Sequence, residues 1–201
     1  MSVKKFLIKF SLILVLFSSF IGKSFSLEPE EFVQSVVNKA SLILTKDNFT
    51  KEQKIEKLQS IAKESVDIQG IGYYSLGAHR KNLSADQKKK YLNVFEKYFL
   101  KSFASRLAEY TDPKIHVNFQ KKLNEKYTMV SSVLMATQEK PEVKIDWRIV
   151  TKNPDKPLII DVIIEGVSLA KVQKEEFNSI IQSNNGDFNA LLISLKKFIN
   201  K

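Results

Sequence analysis

The 201-residue chain has no cysteine, only two histidines, one tryptophan, six glycines and five prolines. Without cysteine there is no disulfide framework, zinc ribbon, iron–sulfur cluster or thiol nucleophile. Two histidines do not supply a three-histidine zinc site; a His–carboxylate site stays formally open, but no metal ligands are picked out. Little glycine and proline beside 43% hydrophobic residues excludes collagen-like and low-complexity chains. The G-x-S-x-G elbow, the H-E-x-x-H pair and the Walker loop are all missing. What the chain does have in excess is basic charge, with 32 Lys and Arg against 22 Asp and Glu, a net +10.

Part of that charge sits in an address. Lys4, Lys5 and Lys9 precede an apolar stretch from Phe10 through Phe17, and Ser24 and Ser26 flank Phe25 just before Leu27. This is the pattern of a cleavable signal peptide over residues 1–26. The apolar stretch is about 12 residues, short of the roughly 20 that a membrane span needs. Residues 1–26 carry four Lys and no acid, so the remainder keeps +6. An exported chain is not expected to meet nucleic acid, and no basic–aromatic motif points to it. The basic excess therefore reads as solvated surface, or as attraction to anionic membranes and acidic protein faces. Residues 27–201 fit a single domain, which at that size buries roughly 70% of its unfolded surface without disulfides.

Glu28–Pro29–Glu30 suits a first helical turn, and Phe32, Val36, Val37, Ala40, Ile43 and Leu44 carry a helix over 29–45. Thr50 with Gln53, and Ser84 with Gln87, read as capping boxes opening two more helices. The second of these is the longest, about 85–110, with Tyr91, Phe95, Phe99 and Phe103 at helical spacing. At Pro113 the period changes from 3.6 to 2. Ile115, Val117 and Phe119 alternate with His116, Asn118 and Gln120. Ile145, Trp147 and Ile149 alternate with Lys144, Asp146 and Arg148, and Leu158, Ile160, Val162 and Ile164 share one face of a later strand. The segment 127–137 is apolar on both faces apart from Ser and Thr. These read as four antiparallel strands with turns near residues 124, 139–141 and 153–156. Helical period returns from Leu169 to the end. The predicted fold class is α+β, a four-stranded antiparallel β-meander with helices from both ends of the chain packed on one face.

Catalytic apparatus is hard to find. Gly70, Gly72 and Gly77 lie between helical segments, not after a strand, so a phosphate loop is not expected. His79 and His116 are isolated surface residues. Asp146 and Asp161 lie on neighbouring strands but alternate with Lys144 and Arg148, which predicts cross-strand ion pairs on a solvated face. The surplus is apolar: an aromatic helix stripe facing a sheet rich in Ile, Val, Met and Trp. Periodicity does not separate a filled core from a hollow one open to an apolar ligand.

Three blocks carry a resemblance. The first runs from Val66–Asp67–Ile68 through Ser75–Leu76–Gly77 to Leu83–Ser84–Ala85–Asp86–Gln87, leading into Tyr91, Phe95 and Phe99. The second is the strand starting at Tyr127, followed by Val143 to Trp147. The third is Ile160–Asp161–Val162 leading to Glu165–Gly166–Val167–Ser168–Leu169. Together they resemble the MlaC family, also called toluene-tolerance proteins, over essentially the whole chain after residue 26. The chain departs from the family in having His79–Arg80 after the Leu–Gly pair, and Leu158–Ile159 ahead of the last Asp–Val.

The resemblance implies a periplasmic phospholipid carrier and no enzymatic activity. Family members shuttle glycerophospholipids between an outer-membrane lipoprotein–porin complex and an inner-membrane ABC transporter with an MCE-domain subunit, and so maintain outer-membrane asymmetry. No cofactor is implied beyond the lipid cargo, and acyl tails would lie in an apolar pocket between sheet and helices. The expected lining on the helix is Phe95, Phe99 and Phe103. On the strands it is Met129, Val133, Trp147, Ile149, Ile160, Val162 and Val167. Arg80 or Arg148 would meet a headgroup phosphate. Asp67, Gly77, Asp161, Glu165, Gly166 and Ser168 read as structural, with Ser168 capping a helix and Gly166 between strand and helix, where positive φ or close backbone approach requires glycine. The alternatives are a periplasmic hydrolase using Ser with His79 or His116, and an adaptor whose core is filled.

Overall fold

The computed structural model describes residues 28–138, 140–153 and 155–201. The signal-peptide expectation lies outside the described residues, as do Glu139 and Pro154 within two predicted turns.

The chain opens with α1 (Pro29–Leu44), its proline in the first turn and Phe32, Val33 and Val37 buried. In α2 (Lys51–Ser65) the Thr50 hydroxyl accepts from the Gln53 amide, and the Gln53 side chain accepts from the Thr50 amide. Val66 then forms a parallel bridge to Ile159, and Asp67 caps α3 (Ile68–Ser75) by accepting from the Gly70 amide at 2.8 Å. A 3-10 turn (Gly77–Asn82) leads to the second capping box, Ser84 with Gln87, and to α4 (Ala85–Leu107). Both boxes satisfy helix-start amides that would otherwise lack partners, which is why the boundaries fall where the sequence puts them.

The sheet follows: β1 (Ile115–Lys122), β2 (Tyr127–Leu134), β3 (Val143–Val150), β4 (Leu158–Ile164) and β5 (Val167–Ser168), antiparallel and in sequential order. This is five strands, one more than expected. Glu165 and Gly166 both have positive φ, 48° and 81°, and this two-residue turn returns the chain as a short fifth strand. Two helices, α5 (Leu169–Ser183) and α6 (Phe188–Ile199), complete the fold.

One face of the sheet packs on the helices. It carries Val130 and Ser132 from β2, Ile145, Trp147 and Ile149 from β3, and Ile159 and Val162 from β4. Two bulges shift parity. In β1 the register slips between Val117 and Phe119, so Gln120 turns inward opposite Val130 and Phe119 turns out to 57% exposure. The expected Ile115–Val117–Phe119 face is therefore broken at Asn118. In β4 the slip falls opposite Arg148 and Ile149, so Ile159 packs inward and Ile160 is the extra residue.

Close packing of α3 on α4 rests on Gly72. A Cβ there would lie 2.8 Å from Phe95, and the Gly72 carbonyl accepts from the buried Tyr91 hydroxyl at 3.1 Å. Gly72→Ala should cost about 1.5 kcal/mol by overpacking, read as a lower denaturant midpoint at unchanged slope.

Candidate functional site

The candidate lining lies in the apolar region where α4 and the inner face of the sheet contribute to one hydrophobic core. The α4 backbone lies chiefly alongside α2, α3 and α6. Its side-chain hydrogen bonds go the same way: Tyr91 to Gly72 of α3, Tyr98 to Gln173 of α5 and Lys101 to the Ile199 carbonyl of α6.

Exposure varies across that region. On α4, Phe95 is 1% exposed, locked edge-on to Phe177 and stacked with Tyr91. One and two turns on, Phe99 and Phe103 stack at 5.7 Å and keep partial exposure. On the sheet, Ile149 is 0% exposed, Trp147 and Val162 opposite each other are partly exposed, and Val167 reaches 53%. Val167 pairs with Ile164 and so shares the inner face. Leu169 and Val172 of α5, which follow β5 in the chain, are exposed as well. On the sheet the inner face is thus buried at Ile149 and exposed at Val167, on the β5 edge.

Trp147 is held against the sheet by its indole N–H donating to Ser132 Oγ at 2.8 Å, and the Ser132 hydroxyl donates to the Ile145 carbonyl at 3.1 Å. Sequence alternation left Ser132 unremarked, because a serine among apolar neighbours carries no signal until its partner is placed. Among the described residues every buried side-chain polar atom has a partner. The inner face therefore offers no polar group in need of water.

The expected lining is dispersed. Phe99, Phe103, Trp147 and Val162 pack against the core and keep partial exposure. Phe95 and Ile149 lie in the packed core, almost wholly out of contact with solvent. Met129 and Val133 fall on the opposite face, in register with Arg148 and Lys144. In β2 the even positions 128, 130 and 132 are buried, not the odd ones. With apolar residues on both faces, alternation carried no information about which side turns in. Ile160 is the partly exposed bulge residue, and Val167 stands at the rim. Two surface depressions, of about 450 and 400 Å³, lie on the outer side of α1 and around Leu42 and Phe49, away from all these residues.

Arg148, 41% exposed, lies on the outer face with its guanidinium 3.5 Å from Asp161. Arg80 is exposed on the 3-10 turn beside His79, whose ring bonds Asn178 at 2.9 Å, well down α5 from Leu169. His116 is exposed on β1. Asp146 accepts from Ser131 Oγ. Asp161 is not on a wet surface, as alternation suggested. It is buried, accepting from the Ser168 hydroxyl at 2.6 Å and the Ala170 amide at 3.0 Å, while Ser168 Oγ accepts from the Lys171 amide. The Asp–Ser pair fastens the start of α5 to β4, and Glu165 clamps Lys144 of β3 through its amide and its carboxylate. Gly77 has φ +54°, as a positive-φ turn demands. Ser168→Ala should cost about 1 kcal/mol by loss of the cap.

A model of the MlaC protein family matches residues 34–197. The chain belongs to the MlaC family. Among solved structures, the phospholipid-binding protein from Ralstonia solanacearum, determined in complex with a phospholipid, is similar in fold. The TM-score is 0.70 and the identity 16%, over 85% of this chain and 96% of that one. No curated protein matches the sequence at a significant level. In this MlaC chain, among the described residues, no three His, Asp or Glu side chains gather as a metal site, and no helix is long and apolar enough to cross a membrane.

Burial raises the pKa of the Tyr91 hydroxyl far above its ordinary value, and burial likewise raises that of Tyr98. Both groups stay protonated and donate. Because the folded state holds these protons more tightly, the contribution is complete below the ordinary tyrosine value and is lost as pH rises above about 10. Alkaline titration of stability should show this decline, and Tyr91→Phe should flatten it while costing about 1 kcal/mol at neutral pH.

Proposed function

We propose that this protein is a periplasmic phospholipid carrier that holds acyl tails between α4 and the inner face of the sheet. The observation that carries the reading is the apolar inner face of the sheet, buried at Ile149 and exposed at Val167, in a chain of the MlaC family. The relative solved with a phospholipid bound supports it.

Exposing a two-tailed lipid to water costs on the order of two dozen methylenes at about 0.8 kcal/mol each, roughly 20 kcal/mol. A carrier must replace bilayer by protein hydrocarbon along most of the tail. Phe99, Phe103, Trp147 and Val162 offer such a surface, and Val167 and Leu169 form its rim. The deep half of the space is filled by Phe95 and Ile149, so loading parts α4 from the sheet. Because α4 is hydrogen-bonded to other helices, that parting breaks apolar contacts, which acyl chains then replace. One domain, residues 27–201, would carry the whole site. By the family resemblance the cargo passes between an outer-membrane lipoprotein–porin complex and an inner-membrane ABC transporter with an MCE-domain subunit.

Native mass spectrometry of protein freshly purified from a bacterial host tests the reading. The expected result is a mass increment of one or two phospholipids. A bare chain mass, with no lipid in an organic extract, overturns it. Replacing His79 and His116 together by Ala should leave lipid transfer unchanged, whereas loss of a hydrolysed product would mark a hydrolase.

A further inference from the structure

We propose that the end of the molecule formed by the 3-10 turn and the first turns of α4 is a docking surface for anionic phospholipid membranes. Residues 80–90 hold Arg80, Lys81, Lys88, Lys89 and Lys90 against one acid, Asp86. These eleven residues carry +4 of the +6 that remains beyond residue 26. Arg80, Lys81, Lys89 and Lys90 are exposed, Lys88 is half-buried, and among the described residues none of the five is in an ion pair.

The cluster is held rigidly. The Ser84–Gln87 capping box fixes the turn on the helix, and the positive end of the α4 dipole adds to the field.

Composition decides the partner. Four of the five cations are lysine, the residue depleted in protein interfaces, where arginine's planar fork is favoured. No large apolar residue between 79 and 90 is exposed, so the patch has no anchor of the kind that dominates protein interfaces. Flexible ammonium groups without an apolar wedge suit a fluid anionic lipid surface, to which each adds attraction within a Debye length. Contact of this kind is reversible and salt-sensitive, as a protein that must leave the membrane requires. The inference rests on the carrier reading for its purpose but not for its physics.

The test is sedimentation of the chain from residue 27 onward with phosphatidylcholine vesicles, with and without about one-third phosphatidylglycerol. The wild-type protein should bind only the anionic vesicles and be released by salt. Lys81→Glu/Lys89→Glu/Lys90→Glu should weaken binding at least about tenfold, while Lys121→Glu/Lys122→Glu/Lys126→Glu, with the same change in net charge, should change it less than about twofold. Equal loss in both variants overturns the proposal, because net charge alone would then suffice. Equal binding to neutral vesicles overturns it too, as does retention on an acidic protein with no affinity for vesicles. Bound lipid, measured on the same preparations by native mass spectrometry, separates the two readings: cargo without vesicle binding defeats the docking surface alone, and vesicle binding without cargo defeats the carrier alone.

Discussion

Val162→Trp is expected to lower the phospholipid content of the purified protein about tenfold or more, while Val133→Trp leaves it unchanged. Val162 lies opposite Trp147 on the inner face, partly exposed, where an indole would occupy the space proposed for acyl tails. Overfilling such a space costs about 1–3 kcal/mol, and 1.4 kcal/mol is tenfold in affinity. Val133 pairs with Lys144 on the opposite face, so the same added bulk projects away from the helices. The measurement is the lipid-to-protein ratio by native mass spectrometry, with thermal melting to show that both variants remain folded. Equal loss in the two would mean that the tails do not lie on the Trp147 face. Equal retention would place them elsewhere altogether.

Asp161→Ala should cost about 3 kcal/mol, because it removes the acceptor of two hydrogen bonds made by a buried carboxylate. The Ser168 hydroxyl and Ala170 amide lose their partner, and Arg148 loses its counter-charge. In a chain of this size the melting temperature should fall by about 6–12 °C. Asp161→Asn keeps the shape and one acceptor oxygen and should cost less. Adding Ser168→Ala to Asp161→Ala should cost less than the two single losses together, since both remove the same bond. A change of less than a degree for Asp161→Ala would show that the start of α5 is held by packing alone.

Much of this architecture was legible in the chain. The capping boxes at Thr50 and Ser84 are encoded within four residues, and the bonds that confirm them lie between those same residues. The Glu165–Gly166 turn is equally local, since a positive φ at consecutive positions calls for a glycine. Alternation identified β3 and its inward Trp147, because polar and apolar residues there are cleanly separated. It failed in β1, where an extra residue at Asn118 reverses parity midway, and in β2, where both faces are apolar. It also misjudged Asp161, whose burial depends on a helix start seven to nine residues later folding back over it.

The sequence by itself determined the types of the elements, where the helices begin, the antiparallel order of the main strands and membership of the MlaC family. Each of these depends on neighbours within a few residues or on blocks read in order. Only the tertiary structure decided which face of β2 turns inward, that Phe95 and Ile149 are sealed while Trp147, Val162 and Val167 are open, and that Arg148 is committed to Asp161. Burial and facing are set by what packs across from a residue, and that partner lies dozens of positions away in the chain.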